Sequence, residues 1–120
     1  VVSYASSPPA EVLYADPPVT EPPTAVVTDT CFRQIEFAGI LSGTQHRAAA
    51  EALVDFMLTP VFQEDLPLSM FVYPSVASTA LPRVFVDHVD TPDSPHHLDP
   101  AIIGANRNMW TEQWTDLVLR

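Results

Sequence analysis

Apolar positions recur with a helical period in two stretches of the chain. Over 45–58 they are Ala48, Ala49, Ala52, Leu53, Phe56 and Met57, and their spacing predicts a helix with one face for a sheet. Over 100–119 they are Ile102, Ile103, Met109, Trp110, Trp114, Leu117 and Val118, with Gly104 and the polar Asn106-Arg107 weakening the stripe midway. Asp99-Pro100 supplies the N-cap and first-turn proline of that second helix. Thr44 is the expected cap of the first. Short apolar runs carry a strand signal in four other places. Val1-Val2-Ser3-Tyr4 reads as a strand end, and Phe32, Ile35, Phe37 and Ile40-Leu41 read as a buried strand broken at Gly39. The segment 68–74 reads as a short strand or extended loop, and Val84-Phe85-Val86 as a further strand. Thr59-Pro60 starts a short helix that Pro67 is expected to end. The pattern is that of an α/β chain, a mixed short sheet packed by helices near 45–58 and 100–119.

Proline divides the chain further. Ser6-Ser7-Pro8-Pro9 is expected to stop the first strand, because proline lacks the amide hydrogen a ladder needs. Six of the 13 prolines lie between Pro8 and Pro23, in three Pro-Pro pairs, so 16–24 reads as an extended, partly polyproline II connection. The expected organisation is a strand and loop over 1–13, a Pro-rich connection over 14–30 and an α/β scaffold over 31–120, all within a single domain. An opening Val1-Val2 without methionine is read as a processed or excised piece.

Charge and cysteine content narrow the function classes. The chain carries 5 basic and 15 acidic residues, a formal charge of −10, and all its basic residues are arginine. No basic patch is available to neutralise phosphates, which argues against nucleic acid and anionic membranes. The lone Cys31 excludes an internal disulfide framework and a multi-cysteine zinc site. It is read as a structural thiol rather than as a nucleophile paired with His46. No apolar run approaches the ~18–20 residues of a spanning helix.

Catalytic chemistry is thinly represented. Ser6, Ser7 and Ser42 lack the Gly-x-Ser-x-Gly setting that exposes a nucleophile. His96 and His97 with Asp93 and Asp99 have the donor types of a zinc or nickel site, but nothing in their spacing enforces convergence, so 87–99 reads as an exposed loop. A metal-dependent hydrolase fragment using His96, His97 and Asp99 is the rival reading, and a protein-interaction module built on 16–24 is a third. The aromatics offer more. Tyr4 precedes one turn, and Phe71 and Tyr73 flank another before Pro74. Rings on such loops can stack on a flat or cationic ligand.

In order along the chain stand Ser3-Tyr4-x-x-Ser7-Pro8, Gln34-Ile35-Glu36-Phe37-Ala38, the run from Ala52 through Asp55-Phe56-Met57-Leu58-Thr59-Pro60-Val61-Phe62-Gln63, Tyr73-Pro74, and Asn106-Arg107-x-x-Trp110-x-x-x-Trp114. This series resembles the carboxy-terminal part of an ABC-transporter solute-binding protein and is most similar to the thiamine-binding branch, near the ferric-iron binders. The resemblance implies a partial type 2 periplasmic-binding-protein lobe, no catalytic activity and no cofactor or bound metal. It implies an extracytoplasmic location, periplasmic or lipid-anchored, and a small-molecule solute delivered to a membrane permease. It further implies a missing amino-terminal part of the same chain, and a homodimer of the fragment is an added possibility. Carried over residue by residue, Tyr4 and Phe71 are expected to contact the ligand, with Ser7 offering a hydroxyl. Phe71 falls where that branch has a tryptophan, and Ala10 where it has a second tyrosine. Ferric iron is the alternative solute, although Tyr4 is followed by Ala5 rather than by the adjacent tyrosine typical of iron binders.

Overall fold

Phe85 is the largest side chain fully withdrawn from solvent, at 1% exposure, and the best-buried part of the molecule is assembled around it. A computed structural model describes residues 2–119. Among the described residues five α-helices follow in chain order: α1 (Ser7–Tyr14), α2 (Arg47–Met57), α3 (Pro60–Met70), α4 (Arg83–His88) and α5 (Pro100–Val118). A single 3₁₀ turn, Thr28–Thr30, lies between α1 and α2.

The helical periods fold as helices, and the strand signals fold differently. No sheet forms among the described residues; the only ladder element is an isolated parallel bridge between Phe32 and His96. A strand needs a partner edge for its amides and carbonyls, and the extended segment after Phe32 has none here. Val1 of the expected first strand lies outside the described residues, and Val2 to Tyr4 are unpaired. Val84-Phe85-Val86 is helical, not extended. Pro82 caps α4, its carbonyl accepting from the amides of Phe85 and Val86, so backbone closure overrides the β preference of the valines.

Proline was expected to act as a stop and instead sits inside helices. Pro8 and Pro9 occupy the first turn of α1, where a missing amide hydrogen costs nothing. Pro67 does not end α3, which runs on to Met70. Its ring is fully buried, and that packing offsets the lost bond to the Gln63 carbonyl. The Pro-rich segment folds back rather than extending as a tether. The Thr24 hydroxyl donates to the Glu11 carboxylate at 2.7 Å, and Glu21 lies 3.8 Å from His88 on α4.

The expected caps divide in the same way. Asp99 caps α5, its carboxylate accepting from the Ala101 amide at 2.8 Å. Thr44 does not cap α2, which begins after His46; its hydroxyl instead accepts from the His46 amide.

Packing between elements is local. α1 lies against α4, and α2 against α3, where the Phe56 and Phe62 rings meet edge to face at 5.6 Å. Among the described residues only Ser6, Pro8, Pro9, Gln63, Pro67 and Phe85 are fully buried. The apolar stripe of α5 is open, with Trp114 56% exposed. The radius of gyration is 18.0 Å, against about 14 Å for a compact domain of this length. The accessible surface of 9805 Å² exceeds the roughly 6,400 Å² of a compact monomer of this mass. No helix among the described residues is long and apolar enough to cross a membrane.

Gln63 does the most polar work in the interior. Its amide nitrogen donates to the Met57 carbonyl at 2.6 Å, tying α3 back to α2. Its amide oxygen accepts from the Ser75 amide at 2.8 Å, the Ser75 hydroxyl at 3.1 Å and the Val76 amide at 3.2 Å. Gln63→Leu fills the space but strands these groups, and roughly 2–3 kcal/mol of stability should be lost. Urea unfolding measures this, and a loss below about 0.5 kcal/mol would show that water replaces the carboxamide without cost.

Candidate functional site

Three side chains were expected at a ligand site, and they come from two places far apart in sequence. Tyr4 stands in the turn before α1, 73% exposed. Its carbonyl accepts from the Ser7 amide at 3.0 Å, closing that turn. Ser7 opens α1, and its hydroxyl is paired with that of Ser3 at 2.7 Å. Phe71 is the residue at which α3 ends.

Ser6 joins these two places. Its hydroxyl donates to the Phe71 carbonyl at 2.5 Å across 65 residues of sequence, and Ser6 is only 4% exposed. The turn that carries Tyr4 and Ser7 is thereby held beside the end of α3. Ser6 occupies the N-cap of α1, yet makes no side-chain cap bond. A serine cap ordinarily accepts from the amide of the second or third helical residue. In α1 those residues are Pro8 and Pro9, which have no amide hydrogen. No amide there draws the Ser6 side chain toward the helix start, and its O–H donates across to the Phe71 carbonyl instead.

Phe71 adopts φ 55°, ψ 35°, a left-handed conformation. Helices commonly end in this conformation, but glycine or asparagine usually provides it. For a bulky residue it costs about 1–2 kcal/mol. One buried hydrogen bond contributes about 0.5–1.5 kcal/mol net. The Ser6 bond is thus of the right size to offset most of that cost, and ring packing adds to it.

The Phe71 ring is half-buried. It stacks near-parallel on Phe85 with centroids 6.2 Å apart and meets Tyr14 at 5.9 Å, tilted by 57°. Tyr73 abuts Phe85 edge-on at 5.9 Å. Tyr14, at the end of α1, is 72% exposed, so the ring surface around Phe71 reaches solvent there. Sequence reasoning missed both Ser6 and Tyr14. The signal for Ser6 was present, since a serine before Pro-Pro has no amide to cap. Tyr14 had none without knowledge that 7–14 is helical.

Other candidates fall apart in space. His96 is a structural node: its amide donates to the Cys31 carbonyl at 2.7 Å, and its carbonyl accepts from the Arg33 amide at 2.9 Å. Its Nε2 lies 2.9 Å from the Asp29 carbonyl, which can only accept, so that nitrogen carries the proton. The Asp99 carboxylate serves the α5 cap. Among the described residues no three His, Cys, Asp or Glu side chains converge as a metal site, so His96, His97 and Asp99 are not brought together as the hydrolase alternative requires. Cys31 is half-buried, with its thiol toward the Val27 carbonyl at 3.7 Å.

Tyr73 turns its hydroxyl inward, where no hydrogen-bond partner satisfies it. Burial pushes its pKa above the ordinary tyrosine value; the nearby Thr91 side chain pulls it partly back without reaching bonding geometry. Because the folded-state value is raised, the unfolded chain loses this proton first as pH rises. The contribution to stability is therefore complete below about pH 10 and falls above it. With no lysine in the chain, few other groups titrate there. Tyr73→Phe should leave stability at pH 7 unchanged or raised by up to about 1 kcal/mol, and it should flatten the decline above pH 10. Urea unfolding at both pH values tests this, and a substantial loss at pH 7 would reveal a hydroxyl partner.

Two curated relatives match the chain. The thiamine-binding periplasmic protein of Escherichia coli K12 is 28% identical over 120 residues, all of this chain and 36% of that protein. The thiamine-binding periplasmic protein of Salmonella typhimurium LT2 is 30% identical over 89 residues, 74% of this chain and 27% of that protein. Both are binding proteins rather than enzymes. No protein-family model and no solved structure matches the chain. The chain spans about a third of the length of the curated relatives it matches, and its similarity to them is to thiamine-binding periplasmic proteins.

Proposed function

We propose that this chain is the carboxy-terminal portion of an extracytoplasmic solute-binding protein of an ABC importer, and that the whole protein captures thiamine or a related aromatic cation for a membrane permease. The observation that carries this reading is similarity to the E. coli thiamine-binding periplasmic protein along the entire chain. In this reading the remaining two-thirds completes a type 2 lobe pair. The extended segment after Phe32 then adds to a sheet edge supplied by that remainder, and the open stripe of α5 is covered by it.

The proposed ligand contacts are Tyr4 and Phe71, with Ser7 at the rim. Several features support them. Tyr4 is open to solvent, Phe71 is only partly buried, and the Ser6 bond draws their segments together. A ring face attracts positive charge, and the attraction grows when water is excluded by lobe closure. The chain's net charge of −10 favours the approach of a cation, an effect on encounter rate more than on selectivity.

Titration calorimetry of thiamine into the protein at full two-lobe length tests the reading. Saturable one-to-one binding is expected. Tyr4→Ala and Phe71→Ala should each weaken it by about 5- to 30-fold, the loss of roughly 1–2 kcal/mol of cation–ring attraction. No binding by the intact protein would remove thiamine as the solute. Unchanged affinity in both variants would remove these residues from the site.

A further inference from the structure

The exposed aromatic surface depends on an unusual backbone choice. Phe71 ends α3 in the left-handed region, where the chain ordinarily supplies glycine. Glycine there would relieve the backbone but delete the ring that meets both Phe85 and Tyr14. An aromatic at such a position therefore needs something to hold its backbone, and one buried polar contact reaches it: the Ser6 hydroxyl on the Phe71 carbonyl. Pro8 and Pro9 offer no amides to hold the Ser6 side chain in a capping position, which leaves its orientation to the long-range bond.

We infer that Ser6 is a positioning residue for the ligand surface: its bond to the Phe71 carbonyl holds Phe71 left-handed, fixes the direction of its ring, and locks the Tyr4-bearing turn to it. This rests on the proposed solute-binding role of Phe71, and it adds a residue that touches no ligand. The consequence is a specific coupling. The left-handed backbone at position 71 should depend on the Ser6 hydroxyl only while a bulky side chain stands there, since glycine adopts the same conformation unaided.

The test uses the protein at full two-lobe length and three readouts. In the first, NMR follows the intraresidue amide-to-Hα NOE of Phe71, which is strong when φ is positive. It should be strong in the native protein and in Ser6→Thr, and weakened in Ser6→Ala. In the second, thiamine affinity should fall about tenfold in Ser6→Ala and be retained in Ser6→Thr. Combining Ser6→Ala with Phe71→Ala should weaken binding by less than the two single losses combined, because the part acting through the ring is already gone and only the Tyr4 turn is left to loosen. In the third, the stability lost on Ser6→Ala should persist in a Phe71→Gly background, because the acceptor is the backbone carbonyl that glycine retains; this also keeps the question answerable if Ser6→Ala alone folds poorly.

An NOE that persists unchanged in Ser6→Ala overturns the inference. So does a weakened NOE with unaltered thiamine affinity, a fully additive affinity loss in the Ser6→Ala, Phe71→Ala double variant, or a stability loss that vanishes with glycine at position 71. If the native protein binds no thiamine, the solute reading fails separately. The NOE and the Phe71→Gly background then decide whether Ser6 holds Phe71.

Discussion

The burial of Phe85 is the constraint on which the ordered part of this chain depends. Its ring receives Phe71 on one side and Tyr73 on its edge, and its helix, α4, carries the contact with α1. The other large buried side chains are Pro9 and Pro67, one in each of the helices that frame the candidate site. Proline suits this role because it brings a compact apolar ring that loses almost no side-chain freedom on burial. The interior is thus assembled from one phenylalanine and rigid rings set into helix turns. Such a nucleus is small, and its contacts fall on α1, α4 and the end of α3, while α5 buries no residue fully.

That imbalance explains the open form of the molecule. Helices α2 and α5 have no fully buried residue, yet their apolar positions recur at helical spacing. A stripe such as Trp110, Trp114 and Val118 gains stability only when covered, at about 25 cal/mol per Å² of apolar surface removed from water. The large radius and surface area measure how much of that stabilisation is unrealised within these 120 residues. In the solute-binding reading the cover comes from the rest of a protein nearly three times as long, and the same remainder offers an edge to the extended segment after Phe32.

The sequence was legible wherever structure is local. The period of α2, and the period and Asp99 cap of α5, depend on residues within a few positions of one another, so pattern alone locates them. It failed where a residue has two uses. Pro8-Pro9 can terminate a strand or begin a helix, and the choice depends on whether α1 has α4 to pack against. Val84-Phe85-Val86 has strand composition, but Phe85 must point into the nucleus, and the Pro82 carbonyl closes a helical turn that does so. Of the candidate site, Tyr4 and Phe71 stand out as rings at turns and by resemblance, and Ser7 by resemblance alone. Ser6 and Tyr14 required the fold, because their contacts lie 65 and 57 residues away along the chain.

Those long separations bear on how a binding surface of this kind can work. A ring on a mobile loop loses much of its attraction for a ligand to the entropy of being ordered. In the proposed site the two ring-bearing segments adjoin regular structure, one before a proline-started helix and the other at a helix end. The αL backbone at Phe71 limits how its ring can turn, and the stack on Phe85 limits it further. Tyr4 is left open and comparatively free. A cation captured between them would meet one fixed ring and one adjustable ring, and lobe closure would need to order only the second. In this arrangement the conformational strain stored at Phe71 is the cost of preorganisation, met in the folded state instead of at each binding event.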